Sequence, residues 1–169
     1  FQELWVFDRR TGDGTRVTRG SYDTLVDWSH DERSLLHLRA GQIWISSIDR
    51  STPPRPLIKV KERLFGAARG PDDASVLAVR MNQGPQSGLW RISVPGAAES
   101  PILTQATAGE RSRPYDVRLS SDGRWVAYTD RNEEEVYALA LDGSGVIQVS
   151  AGGGSAPVWG AAQQLFYRT

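Results

Sequence analysis

The chain has 169 residues, no cysteine, and 20 basic residues against 20 acidic ones, for a formal net charge of zero. That length suits one domain with a real core, and the missing cysteine excludes disulfide scaffolds, thiolate zinc sites and cysteine nucleophiles. The balanced charge gives no pull toward nucleic acid or an anionic membrane, and the short, interrupted apolar runs make no transmembrane helix.

Apolar and aromatic residues come in short alternating bursts cut by Gly, Pro, Asp and Ser, the pattern of an all-β chain. Strands are expected over 1–8, 15–18, 23–29, 34–38, 43–48 and 56–60, with turns at Thr11–Gly14, around His30–Arg33 and at Gly41-Gln42. A looser round follows over 64–69, 75–80, 89–94 and 101–104, with a turn at 70–73 and a Gly-rich loop over 82–88. The next round has strands over 114–119, 124–129, 136–141 and 146–149, and 156–159 and 165–168 close the chain. Because the chain starts at Phe1 inside a strand-like run, it is expected to be a piece of a longer protein or a mature product.

These rounds are copies of one unit. Trp28-Ser29, Arg69-Gly70, Leu119-Ser120 and Trp159-Gly160 end its first strand, and Asp31, Asp72 and Asp122 mark three of the turns that follow. Trp5, Trp44, Trp90 and Tyr137 mark the third strand at spacings of 39, 46 and 47 residues. A four-stranded unit of this length is a β-propeller blade. The chain therefore reads as half-blade 1–20, blades 21–60, 61–106 and 107–150, and half-blade 151–169. Blades need neighbours on both faces, which leaves three arrangements. The chain is a segment of a larger propeller, ranked first; or it closes on itself by pairing 165–168 with 4–8; or it forms a ring, as a homodimer, with a second chain.

Leu-Trp-Val-Phe-Asp at 4–8, Trp28-Ser29 with Asp31, and Asp122 to Tyr128 (DGRWVAY) resemble the TolB-like, WD-related propeller repeats of bacteria. The tail Ser150–Arg168 is similar to the last blade of such domains, although its turn at Gly160–Gln164 lacks the usual Asp and Gly. The resemblance implies a non-enzymatic platform with a protein or peptide partner and no cofactor. It favours a periplasmic or otherwise extracytoplasmic setting. Its alternatives are the gating propeller of a prolyl-oligopeptidase-like peptidase and the sensor domain of a kinase or transcription regulator. By the same analogy Tyr22, Asp23, Arg63, Tyr115 and Asp116 lie where first strands line a central channel.

The remaining candidates are read from the residues. The charged hairpin tip from Arg131 through Glu133 and Glu134 is a partner-contact site, since scaffolds of this kind bind through loops. The repeated aromatics read as packing between blades, and Asp31, Asp72 and Asp122 as turn formers. His30 and His37 suggest a triad with Ser29 or Ser34 and Asp31, but no Gly-x-Ser-x-Gly elbow exposes a nucleophile. Gly152–Gly154 lacks the Lys and helix of a phosphate loop and reads as a wide turn between blades.

Overall fold

A computed structural model describes residues 1–72, 74–81, 84–94, 96–104 and 113–169. The expected Gly-rich loop and the turn at Asp72-Asp73 fall partly outside these residues, as does the expected blade boundary at 106/107.

Strands β1 (Trp5–Phe7) and β2 (Gly14–Arg16) form an N-terminal pair. The first full blade is β3 (Asp23–Trp28), β4 (Ser34–Arg39), β5 (Gln42–Ser47) and β6 (Arg55–Ile58). The second is β7 (Gly66–Arg69), β8 (Ser75–Arg80), β9 (Gly88–Ser93) and β10 (Glu99–Thr104). A third holds β11 (Pro114–Leu119), β12 (Trp125–Asp130), β13 (Glu135–Ala140) and β14 (Val146–Gln148), and β15 (Ser155–Trp159) with β16 (Leu165–Arg168) makes a C-terminal pair. Every pairing within these sheets is antiparallel and sequential, so each blade is a meander.

Packing between blades explains the patterning. One core cluster joins Leu36, Leu38 and Ile43 of the first blade to Ala67, Val76, Ala78 and Ile92 of the second. Another joins Leu77, Val79 and Leu89 of the second to Val117, Val126 and Leu139 of the third. Strand β8 has a blade on each side, and all six of its residues are buried. That is why it reads as a continuous SVLAVR run rather than an alternating one.

The turns between first and second strands in the first and third blades share one hydrogen-bonding device. Ser29 Oγ donates to Asp31 (2.6 Å) and accepts the amide of Ser34 (3.0 Å), while Arg33 N donates to Asp31 (3.0 Å). Ser120, Asp122, Arg124 and Trp125 reproduce it at 2.6, 2.9 and 3.1 Å. Gly123 takes a left-handed φ of 70° in that turn, and Glu32 is forced to φ 55° at the matching place. At the C-terminal pair Gly160 has no hydroxyl to offer, and a short 3-10 turn over Ala161–Gln163 replaces the device.

Strands β1 and β16 lie in separate sheets, so closure of a four-bladed ring by pairing 165–168 with 4–8 is not made. Trp5, Phe7, Val158 and Phe166, which would face a neighbour in a closed blade, are exposed. Among the described residues no helix is long and apolar enough to cross a membrane.

Candidate functional site

The innermost strands β3, β7 and β11 pack side by side and leave a groove of about 310 Å³ along their exposed faces. Its apolar part comes from Leu25, Phe65 and Met81, and its polar part from Tyr115, Asp116, Arg118 and Arg131. Leu25, on β3, and Phe65, just before β7, both line it and are about half exposed. Large apolar groups left open on a rigid strand are informative in a way that scattered ones are not.

Local backbone geometry builds the polar end. Strand β11 slips register between Tyr115 and Arg118, and Asp116 sits there at φ 52°. Such a bulge re-aims side chains at a sheet edge, and Asp tolerates the left-handed region better than most residues. Ala156 has φ 53° at the corresponding bulge of β15, whereas β7 pairs without a bulge, so β11 shares the kink with β15 and the carboxylate is particular to β11. Asp116 pairs with Arg118 Nη2 at 2.9 Å, and the Arg131 guanidinium lies 5.4 Å from the Tyr115 ring centroid. A stacked guanidinium keeps its in-plane donors free for a partner.

Of the residues expected from the sequence, Tyr115, Asp116 and Arg131 thus come together. Tyr22 stands apart, exposed and stacked on Phe1 at 5.7 Å. Arg63 is also exposed, with its guanidinium 5.9 Å from the Phe65 ring, beside the groove. Glu133 accepts the Tyr137 hydroxyl, which holds that phenol's pKa up at about 12. Glu134, at φ 54°, accepts the Gly154 amide through its carbonyl (2.7 Å) and leaves its carboxylate on the surface.

Asp23 is only 3% exposed, and its carboxylate is directed into the first blade. It accepts hydrogen bonds from Ser21, from Arg39 Nε (2.8 Å) and Nη2 (3.0 Å), and from His37 Nδ1 (3.2 Å). Burial pushes its pKa up, but the bonds from Arg39, Ser21 and Thr18 outweigh burial and leave it at about 2. His37 Nε2 lies 2.8 Å from Ser46 Oγ. Because an ionised Asp only accepts, Nδ1 carries the proton, and Nε2 accepts from the serine hydroxyl. Burial holds the His37 pKa below its ordinary value.

This is the Ser-His-Asp order of a hydrolytic triad, made by His37, one of the two histidines the sequence suggested, but with a different serine and aspartate. Ser29 and Asp31 are spent on their turn. Ser46 is 1% exposed and His37 0%, so no substrate carbonyl reaches the hydroxyl in this conformation. The chain Ser46–His37–Asp23–Arg39 instead ties three strands of the first blade together. Sequence reasoning missed it, along with Leu25, Phe65 and Arg118 in the groove. The usable signal was alternation on β4, which puts His37 and Arg39 on one face; the partners depended on register.

The glycine run is explained by the same accounting. Glu135 accepts the amides of Gly152 (2.7 Å) and Gly153 (2.9 Å) and the Ser150 hydroxyl, so the chain supplies its own anion to that turn.

Successive four-stranded meanders packed face to face define a β-propeller. The particular likeness is to TolB: the structure of TolB from Acinetobacter baumannii superposes with a TM-score of 0.74 at 16% identity, over 96% of this chain and 41% of that one. The Cps50 (Swd1) β-propeller domain from Myceliophteria thermophila matches with a TM-score of 0.66 at 12% identity, over 98% of this chain and 55% of that one. Oligogalacturonate lyase from Vibrio parahaemolyticus, an enzyme, matches with a TM-score of 0.54 at 10% identity, over 87% of this chain and 46% of that one. The chain therefore spans roughly half the length of the propellers it is similar to. No protein-family model and no curated protein matches the sequence. At these identities the likeness is one of fold.

Proposed function

We propose that this chain is a non-enzymatic binding module that holds an extended protein segment or peptide along the groove of the innermost strands, with the 131–134 loop as its rim. The observation that carries the reading is the joining of half-exposed Leu25 and Phe65 to Tyr115, Arg131 and the Asp116–Arg118 pair in one groove. An apolar floor supplies affinity, and a stacked arginine with a fixed carboxylate supplies direction and register. Arg and Tyr are the residue types that most often dominate such contacts. The sealed position of Ser46 supports a structural role for the Ser-His-Asp chain.

The test is selection from a random peptide library on the intact chain, followed by calorimetry on the enriched peptide. Arg131→Ala and Tyr115→Ala are expected to weaken that peptide at least tenfold, and Arg9→Ala, on the distant N-terminal hairpin, to leave it unchanged. Equal affinity for all three variants, or no enrichment at all, overturns the reading.

A further inference from the structure

A second cleft, of about 370 Å³, opens between the N-terminal pair and the first blade, away from the channel groove. Arg19, Arg39, Arg50 and Thr52 give it polar walls, and Val17 with Pro53-Pro54 gives it apolar ones. None of the residues lining it is acidic. Three carboxylates stand behind its walls, each held by the chain itself: Asp23 by Arg39 (2.8 Å), Glu3 by Arg16 (3.3 Å) and the Gly20 amide (3.0 Å), and Asp49 by Ser47 and the Ser51 amide (2.9 Å).

Arg39 is already oriented before any ligand arrives. Asp23 grips its Nε and Nη2, Ser21 lies 3.1 Å from Nη2, and the guanidinium sits 4.6 Å from the Trp44 ring centroid. Its remaining nitrogen, Nη1, has no hydrogen-bond partner among the described residues. The second blade shows what the closed version looks like. There Arg80 lies over Trp90 at the same 4.6 Å, but Glu62 and Glu99 both reach it and its side chain is 5% exposed. In the first blade no glutamate takes that place, and two further arginines stand in the opening.

Arg50 is presented by a pinned turn. Its backbone is left-handed (φ 60°), its amide donates to Ser47 O (3.3 Å), and the turn runs on into Pro53-Pro54. Arg39 is neutralised by Asp23 and Arg19 is partly offset by Glu3, so the cleft keeps a net positive charge carried by Arg50 and Arg19. Two guanidinium forks, a hydroxyl and a small apolar wall match a dianionic oxyanion on a small organic body. A phosphate monoester meets that description, with a charge near minus two above its second pKa of about 6. We propose that this cleft binds the phosphate monoester of a small molecule of sugar-phosphate size.

Calorimetry and phosphorus-31 line broadening on the whole chain test it, using glucose 6-phosphate, glycerol 3-phosphate, free glucose, potassium sulfate and a phosphoserine peptide at matched ionic strength. A phosphorylated sugar or polyol is expected to bind with a sub-millimolar Kd, more tightly at pH 7.5 than at pH 5.5, while free glucose does not bind. Arg19→Ala and Arg50→Ala, at exposed positions, are each expected to weaken it at least tenfold, and Tyr115→Ala to leave it unchanged. Line broadening of the wild-type protein alone supplies a reading if a variant fails to fold. The proposal is overturned if both arginine variants bind like wild type, if the sugar phosphates bind no better than sulfate, or if the phosphoserine peptide binds tenfold more tightly than either.

Discussion

The first and second blades carry the same stack, an arginine ending the second strand over the tryptophan of the third, and use it in opposite ways. Around Trp90 the stack is shut by Glu62 and Glu99, and the strands beneath it meet through Ala78 and Ile92. Around Trp44 the stack rests on Asp23 and opens to solvent, and the places of Ala78 and Ile92 are taken by His37 and Ser46. A repeat can thus hold its outline while one copy is fastened by apolar contact and another by a buried polar chain. Apolar contact has no memory of partners, whereas a buried hydrogen-bonded chain fails wherever one member is removed.

Removing the carboxylates breaks the comparison most sharply. Asp23→Ala leaves Arg39 and His37 without their shared acceptor and is expected to cost about 3 kcal/mol or more in urea unfolding. Glu99→Ala removes a partly exposed partner of Arg80, leaves Glu62 in reach, and is expected to cost less than about 1 kcal/mol. Equal losses would mean that the two stacks are fastened alike.

Next in size is the histidine. His37→Ala is expected to cost about 2 kcal/mol, because Ser46 and one bond to Asp23 lose their partner in a dry site. Rebuilding the second blade's pair with His37→Ala and Ser46→Ile together should recover part of that loss, since it removes the stranded hydroxyl and refills the space. A double variant less stable than His37→Ala alone would show that the first blade has no room for the apolar solution.

Acid should separate the blades too. His37 has a folded pKa depressed by burial, so the folded chain binds fewer protons than the unfolded one, and stability falls as pH drops below about 6.5. Asp23, held at about 2 against an ordinary 3.8, contributes stability that is intact above pH 4 and lost as pH falls toward 2. The pH dependence of the urea midpoint should therefore fall in two steps, and His37→Ala should abolish only the upper one. An unchanged upper step in that variant would assign it to another group.

The smallest expected effect lies in the first blade's turn. Glu32 at φ 55° occupies the place where the third blade has Gly123, so Glu32→Gly should raise stability by about 0.5–1 kcal/mol. A loss of stability would show that the side chain makes up for its strained backbone.

Much of the architecture was readable in the residues. Trp44, Trp90 and Tyr137 each fall at the third position of a third strand, and the strand limits expected for 75–80, 114–119 and 165–168 are those observed. The turn role of Asp31 and Asp122 was readable as well, because an Asx turn is made within four residues. The groove was legible only in part. Tyr115 and Asp116 were marked by analogy with strands that line a channel and Arg131 as part of a charged hairpin tip, whereas Leu25 and Phe65 looked like ordinary strand residues. Nothing local to an apolar side chain says whether a neighbouring blade will cover it.

Period, meander and turn chemistry follow from the residues alone, because alternation and Asx turns are settled over a few positions. The pairing of His37 with Asp23 and Ser46 rather than with Ser29 and Asp31, the separation of β1 from β16, and the meeting of Arg19, Arg39 and Arg50 in one cleft arise only once the blades are packed. Those outcomes depend on strand register and on the rotation between blades. Both are sums over many contacts, and no single stretch of the chain encodes them.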